Sequence, residues 1–148
     1  HIGFPAIVKT ISGSYGRGVF LAETKKQFKQ LLSLAELTKP SYNIIIQEFI
    51  KDTWGKDLRV LVVNNKVVGC MMRQAKDDEQ IEWLASESSK ALDLDIAGVD
   101  LLFDNGGFKI CEVNSNPGFE GMETFTKKNI AGEIVSFIKL KLGLTSEK

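Results

Sequence analysis

The sequence predicts an α+β protein built from antiparallel sheets with flanking helices. β-branched runs come in adjacent pairs, turn residues separate the two members of most pairs, and apolar residues at helical spacing follow them. The predicted order of elements is β-β-α-β and then β-β-α-β-β-α. We therefore expect two small α+β units, residues 1–50 and 51–148, that meet near residues 50–56, where ligands are often held.

The first predicted unit has three strands and one helix. FPAIVKT and GVFLAE form a hairpin whose tip is the glycine-rich ISGSYGRG, residues 11–18. Thr24 and Gln27 fit a capping box, and apolar residues then recur at helical spacing until Pro40. NIIIQEFI, residues 43–50, is a nearly continuous apolar run and predicts the third strand.

The second predicted unit contains two hairpins and two helices. DLRVLVVNNKVVGCMMRQ turns at Asn64 and Asn65, which tolerate positive φ. A helix is predicted over residues 80–92. AGVDLLF and FKICEVN are then joined by DNGG, a strong hairpin signal. The last predicted helix runs from Asn129 to Gly143.

The composition argues against several classes of function. The 19 basic and 19 acidic residues cancel, so no net charge attracts nucleic acid or an acidic membrane. No signal peptide or long apolar run is present, which predicts a soluble cytoplasmic protein. The one histidine, His1, argues against histidine catalysis. Cys70 and Cys111 lack metal-type spacing and are expected to be buried thiols in a reducing compartment.

ICEVNSNPGFEG, residues 110–121, carries polar side chains inside an apolar strand. Glu112 and Asn114 lie on one face because side chains alternate, and Asp100 on the paired strand can present a carboxylate to that face. At about 4 to 5 Å and an effective dielectric of ~20, two carboxylates repel by about 3 to 4 kcal/mol. Either a cation offsets this repulsion or one group is protonated.

An all-oxygen set suits Mg²⁺ or Mn²⁺, and a carboxylate shared by two ions would form a phosphate clamp. The alternative is a solvated sheet face on which Asn114 only begins the turn.

The glycine-rich loop is neither a Walker A loop nor a dinucleotide fingerprint, because a strand follows it. Such a loop can lie over phosphates and donate backbone N–H groups, although a flexible hairpin tip is the alternative. Its candidate binding residues are Gly13, Ser14, Tyr15, Gly16, Arg17 and Gly18.

Three cations stand where they can meet an anion. Lys9 follows apolar neighbours on the strand before the loop, so it either reaches solvent or contacts a phosphate. Arg59 and Arg73, on the two arms of the second hairpin, can contact a phosphate or acyl phosphate, or pair with an acidic neighbour. We favour Arg73 as the functional one, because it ends its strand.

The end of the third strand can contact a nucleobase. Gln47, Glu48, Phe49 and Ile50 offer backbone donors and acceptors together with apolar walls. Glu48 is alternatively an ordinary rim residue. Asp57 can accept hydrogen bonds from ribose hydroxyls or only cap its strand.

Taken together, these motifs resemble the ATP-grasp superfamily and, within it, the RimK-type α-L-glutamate ligases. The resemblance rests on FPAIVKTISGSYGRGV, IIIQEFI, GKDLRVLVV, AGVDLLF and CEVNSNPGFEG in that order, and it covers nearly the whole chain. It implies a nucleotide held between a glycine-loop subdomain, residues 1–50, and a metal-binding subdomain, residues 51–148. Lys9 and the loop would contact ATP phosphates, Glu48 and Phe49 adenine, and Asp57 the ribose.

The resemblance also implies a reaction. Asp100, Glu112 and Asn114 match the family's magnesium ligands. ATP would phosphorylate a carboxylate and leave as ADP, and the amine of an amino acid would attack the acyl phosphate and release phosphate, with Arg73 offsetting the negative charge. Family members act on protein C-termini, cofactor tails and amino acids, and often form dimers or tetramers.

Two departures from the family pattern lead to further expectations. The family has a preceding N-terminal domain that this sequence lacks, so we expect ATP binding without turnover. The family also has a longer loop with an Arg-x-Asn element after Arg73, where this chain has AKDDEQIEW. Either the loop is short, or residues are missing and a long Cα separation lies between Lys76 and Gln80. A nucleotide-binding or interaction module without catalysis is the alternative function.

Overall fold

The computed structural model of this chain describes residues 2–11, 18–38, 43–53, 57–72 and 78–144. The chain divides into two compact units, His1–Ile50 and Lys51–Lys148. Each unit has an antiparallel sheet and at least one helix, which confirms the predicted α+β class.

The first unit is a three-stranded antiparallel sheet, ordered β2-β1-β3, with one helix. The helix begins with the predicted capping box. Thr24 Oγ1 accepts a hydrogen bond from the Gln27 backbone N–H at 3.2 Å, and Gln27 Oε1 accepts one from the Thr24 backbone N–H at 3.1 Å. The elements in chain order are β1 (Ala6–Thr10), β2 (Val19–Ala22), α1 (Lys25–Thr38) and β3 (Ile44–Glu48).

The second unit is a four-stranded antiparallel sheet, ordered β5-β4-β6-β7, with three α-helices in its described part. Both predicted hairpin turns are present, with positive φ at Asn64 and Asn65 and at Asn105 and Gly106. After a 3₁₀ turn at Lys51–Thr53, the elements are β4 (Leu58–Val63), β5 (Lys66–Met72), α2 (Asp78–Ala91), β6 (Ile96–Asp104), β7 (Gly107–Asn114), α3 (Glu120–Thr126) and α4 (Ile130–Lys141).

Helix α3 was not expected from the sequence. The Asn-Pro-Gly signal predicts only a turn after β7, and a helix of seven residues is too short to display a clear apolar period. Its Met122 is nevertheless buried, and Glu123 Oε1 accepts a hydrogen bond from the backbone N–H of Ala131 at 2.8 Å, at the start of α4. The short helix therefore helps to begin the longer one.

The two faces of the second sheet differ in what covers them. One face packs on α2 and forms the larger core, made of Leu58, Val60, Val62, Ile81, Ala85, Ala97, Val99 and Leu101. On the other face Leu61 packs with Met122 of α3 and Ile130 of α4. A Cβ on Gly69 would lie 2.5 Å from Met122 Sδ, so the glycine lets α3 approach this part of the sheet closely.

The expectation that both cysteines are buried is wrong. Cys70 and Cys111 are free thiols, and both are half-buried. They lie on β5 and β7, the two edge strands of the sheet, each of which pairs with a strand on one side only within the described part of the chain. None of the helices in the described part of the chain has the length and apolar character needed to span a bilayer.

Candidate active site

A row of four residues crosses the second sheet from one edge to the other. Arg59 of β4 is in register with Met71 of β5 on one side and with Asp100 of β6 on the other. Asp100 is in turn in register with Glu112 of β7. The structure thus places the two predicted carboxylates directly opposite each other, and it adds an arginine to the same row. Three of these four residues carry a charge, and we call the set the charged row: Met71, Arg59, Asp100 and Glu112.

A β-bulge decides which face Glu112 occupies. From the turn as far as Leu101 and Ile110, the β6–β7 hairpin pairs regularly, and then the register shifts by one residue. Without this shift Cys111 would lie opposite Asp100, and Glu112 would point to the face covered by α2. The extra residue, Cys111, therefore brings Glu112 and Asn114 to the face that carries Asp100.

Arg59 holds both carboxylate oxygens of Asp100. Its Nε donates a hydrogen bond to Oδ1 at 2.7 Å, and its Nη2 donates one to Oδ2 at 2.5 Å. The Asp100 side chain is 14% exposed and that of Arg59 is 41% exposed. This two-pronged arrangement is the strong form of the carboxylate–guanidinium pair. Of the two possibilities for Arg59, contact with phosphate or pairing with an acid, the structure shows the pairing.

The charges around Arg59 raise its pKa. The hydrogen bond to Asp100 is the largest cause, and the negative charges of Asp100, Glu112 and Asp57 raise it further, while burial opposes them. Arg59 is consequently a fixed cation among three carboxylates. Arg59 therefore offsets part of the repulsion between Asp100 and Glu112.

The turn after β7 lies against the same face. Asn114 Oδ1 accepts a hydrogen bond from the Asn116 backbone N–H at 2.8 Å, so the amide organises the turn. Asn114 is in register with Gly98, where a Cβ would lie 2.7 Å from the Cβ of Pro117. Gly98 therefore lets Pro117 rest on the sheet beside the charged row.

The donor set fits one kind of metal site. Among the described residues no group of three His, Cys, Asp or Glu side chains is arranged to hold a metal ion. Asp100, Glu112 and Asn114 instead offer two carboxylates and one amide oxygen, and Glu112 and Asn114 are exposed. Mg²⁺ usually takes one or two protein carboxylates and completes its shell with water and phosphate. The set fits such a shared site and not an all-protein cage.

In the first unit, Lys9 lies on the central strand β1, in register with Val19 of β2 and Ile45 of β3. Lys9 is half-buried, whereas Val19 is 46% exposed and Ile45 is 37% exposed. Strand alternation puts Gln47 on this face as well, because it pairs with Ile7. The face is thus an open apolar surface that carries a lysine and an amide.

The other predicted nucleotide residues are placed as follows. Glu48 pairs with Ala6 and so lies on the opposite face from Lys9. Phe49 is half-buried, Ile50 is buried and Asp57 is exposed. The structure therefore does not bring the side chains of Glu48 and Lys9 together on one face.

Gly18 closes the first hairpin. It has φ +82°, its carbonyl accepts a hydrogen bond from the Thr10 backbone N–H at 3.2 Å, and a Cβ there would lie 2.6 Å from Thr10 Oγ1. The remaining loop candidates and the favoured arginine lie outside the described residues, as does part of the segment predicted to hide a chain gap. They are Gly13, Ser14, Tyr15, Gly16, Arg17 and Arg73, with residues 76–77 of the segment.

Solved structures share this fold. The RimK domain protein of Sphaerobacter thermophilus aligns with a TM-score of 0.72 at 20% identity, over 91% of this chain and 53% of that one. The ATP-grasp ligase PsnB aligns with a TM-score of 0.69 at 16% identity, over 93% of this chain and 46% of that one. D-alanine–D-alanine ligase of Bacillus anthracis aligns with a TM-score of 0.66 at 20% identity, over 89% of this chain and 50% of that one. The fold is the ATP-grasp fold.

A family model described as "RimK-like ATP-grasp domain" matches residues 1–82 and 77–138. The probable alpha-L-glutamate ligase of Coxiella burnetii is 42% identical over 155 residues, which cover 93% of this chain and 51% of that protein. The probable alpha-L-glutamate ligase 1 of Hahella chejuensis is 40% identical over 157 residues, covering 94% and 51%. This chain belongs to the RimK-like ATP-grasp family, and it spans about half the length of these relatives.

The alignment to the Coxiella protein is 155 positions long, which exceeds the 148 residues of the whole chain, so the relative carries residues that have no counterpart here. The two family matches overlap at residues 77–82, near the point where the sequence lacks the expected loop.

Proposed function

We propose that this chain is the nucleotide- and magnesium-binding part of an ATP-dependent carboxylate–amine ligase. The observation that carries the proposal is the pairing of Asp100 with Glu112 on the sheet face opposite α2, in a chain of the RimK-like family. The relatives named probable alpha-L-glutamate ligases support glutamate, or a similar amino acid, as the amine that is added through an acyl phosphate. The two structural units would be the glycine-loop and the metal-binding subdomains.

In this proposal each unit has a separate task. The open apolar face around Lys9 offers walls for the adenine ring and a fixed cation for a phosphate, with Gln47 on the same face. Backbone groups of Glu48 and Phe49 would contact the adenine edge, and Asp57 the ribose. Because Glu48 and Lys9 point to opposite faces, any contact from Glu48 to the base would use its backbone.

Asp100, Glu112 and Asn114 would hold Mg²⁺, or Mn²⁺, with two ions sharing the carboxylates. When bound, the metal neutralises negative charge on the phosphates. The protein's own part is electrostatic and geometric: the bulge at Cys111 aims Glu112, and Gly98 keeps the Asn114–Pro117 turn close. The loop residues 13–18 and Arg73 would supply further contacts to phosphate.

For the substrates, we propose a carboxylate and an amino acid, with a peptide carboxylate among the acceptors. PsnB has been solved with its precursor peptide and with Mg and ADP, which supports a peptide and a magnesium nucleotide as ligands of this fold. A homo-oligomer is also part of the proposal.

Isothermal titration of the 148-residue chain with AMPPNP, with and without Mg²⁺, tests the metal assignment. We expect Mg²⁺ to tighten nucleotide binding in the wild type and to have no such effect in an Asp100→Asn, Glu112→Gln variant. Glu87→Gln on α2 is the control, because it removes an exposed carboxylate that pairs with Lys90 three residues along the same helix. If the double variant keeps its magnesium dependence, the metal does not bind at the charged row.

The sequence has AKDDEQIEW where the family pattern has a longer loop, and this favours a second candidate, a module that binds nucleotide and catalyses nothing. This chain alone is expected to bind ATP without turnover, so incubation of the entire product of its gene with ATP, Mg²⁺, glutamate and an acceptor peptide separates the two functions. A ligase releases ADP in proportion to the amide formed, whereas a module binds ATP and releases none.

A further inference from the structure

Arg59 stands among three carboxylates on the face of the second sheet that α2 does not cover. Asp57, Asp100 and Glu112 all raise the pKa of Arg59. Both oxygens of Asp100 accept hydrogen bonds from Arg59, and the Asp100 side chain is only 14% exposed. Arg59 thus already stabilises the carboxylate that the proposed metal site would use.

We propose that Arg59 is an internal counterion that holds back metal binding by the carboxylates alone. The inference rests on the proposed metal role of Asp100 and Glu112. Arg59 makes the formal charge of this group one unit less negative than that of the three carboxylates alone, and it already pairs with Asp100. A divalent cation gains less from such a site than from unpaired carboxylates. The metal therefore enters together with phosphates, which supply the missing negative charge.

The geometry favours this role over a merely structural ion pair. Glu112 stands opposite Asp100, and a cation that bridges the two carboxylates would contact Asp100, whose two oxygens already accept hydrogen bonds from Arg59, so the cation would approach the arginine closely. On its other side Arg59 is in register with Met71, which offers no carboxylate. Arg59 therefore leans toward the acids across β4 and β6, where its charge opposes an incoming metal ion.

The expected effect follows from Coulomb's law. A unit charge roughly 6 Å from a divalent ion in a water-like medium changes the binding constant by about tenfold. Screening reduces this effect, so the measurement belongs at low ionic strength. Replacing Arg59 with a neutral residue should consequently tighten metal binding, while the absence of a counterion should weaken the metal-free fold.

Binding of Mn²⁺ to the 148-residue chain without nucleotide, followed by electron paramagnetic resonance, tests the proposal. We expect Arg59→Met to bind Mn²⁺ about tenfold more tightly than the wild type. Arg59→Gln keeps a hydrogen-bond donor for Asp100 and is the second neutral variant should Arg59→Met fail to fold. Arg59→Lys keeps the charge and should stay close to the wild type.

The control is Lys90→Met, which removes the same charge and an exposed ion pair with Glu87 on α2, and should leave Mn²⁺ affinity unchanged. Unchanged or weaker Mn²⁺ binding by the neutral Arg59 variants would overturn the inference. Tighter binding by Arg59→Lys would also overturn it, because geometry and not charge would then control the affinity.

Adding Glu112→Gln to each Arg59 variant separates the inference from the proposed function. If Glu112→Gln weakens Mn²⁺ binding but neutral Arg59 variants do not tighten it, only the counterion role fails. If Glu112→Gln has no effect on any variant, Mn²⁺ does not bind at the row and the metal assignment fails with it. A second readout is urea unfolding, where Mn²⁺ should stabilise Arg59→Met more than the wild type.

Discussion

Gly98 is the residue whose replacement tests the described geometry most directly. It lies on β6 between Ala97 and Val99, which belong to the core that packs on α2. A side chain at Gly98 would point the other way, toward the turn after β7. A Cβ built there would lie 2.7 Å from the Cβ of Pro117. We predict that Gly98→Ala destabilises the second unit by forcing this turn away from the sheet.

The magnitude follows from two opposing terms. Carbon atoms in contact prefer about 3.5 to 4.0 Å, so the two Cβ atoms must separate by about 1 Å. The proline ring cannot rotate its Cβ away, since the ring fixes φ, and the turn backbone must move instead. Overpacking of this kind costs about 1 to 3 kcal/mol. Loss of glycine's freedom in the unfolded chain returns about 0.4 to 1 kcal/mol, which leaves a net loss of about 1.3 kcal/mol at the middle of the two ranges.

Urea unfolding followed by circular dichroism and tryptophan fluorescence measures this loss. With an m-value of about 1 to 3 kcal/mol/M, the midpoint should fall by roughly 1 M. Gly107→Ala is the matched control, because a Cβ at Gly107 would meet the Gln80 amide at an ordinary 3.5 Å and its φ is not positive. The reasoning is refuted if Gly98→Ala unfolds at the same midpoint as Gly107→Ala.

Three further changes test other parts of the fold by urea unfolding. Asn129 caps α4, because its Oδ1 accepts a hydrogen bond from the Gly132 backbone N–H at 2.8 Å. Asn129→Ala removes this bond and should lower the free energy of unfolding by about 1 kcal/mol, and Asn129→Asp should lower it less. Leu61→Ala empties a site that is 1% exposed on the face covered by α3 and α4, and should cost about 2 to 5 kcal/mol. Thr24→Ala removes half of the capping box with Gln27 and should cost about 1 kcal/mol, with Thr24→Ser close to the wild type. A loss under about 0.3 kcal/mol for any of the three would show that the contact contributes little.

Local chemistry made most of the fold predictable. Turns such as the one at Asn64 and Asn65 depend on residues that tolerate positive φ, and a capping box depends on two side chains three residues apart. Such signals lie within a few residues of the feature that they specify. Helix α3 lacked one, because its first residues follow an Asn-Pro-Gly turn and its stability depends on the burial of Met122 against distant strands.

The position of the carboxylates was predictable only in part. The residues themselves indicated that Asp100 and Glu112 face each other, but this depends on a bulge that the sequence did not reveal. A regular hairpin from Asp104 and Gly107 would have placed Glu112 among the apolar residues against α2. A buried carboxylate on that face would cost more than the bulge, so hydrophobic burial selects the shifted register.

The arginine of the row explains why paired carboxylates alone are incomplete evidence for a metal. Arg59 and Asp100 are 41 residues apart, and only the β4–β6 register brings them together. The repulsion that pointed to an added cation is therefore partly met by the protein's own side chain. Asp57 and Glu112 also act electrostatically on Arg59, so the formal charges around this arginine are three carboxylates against one cation. That remaining charge, rather than the carboxylate pair by itself, is the physical reason to expect a cation there.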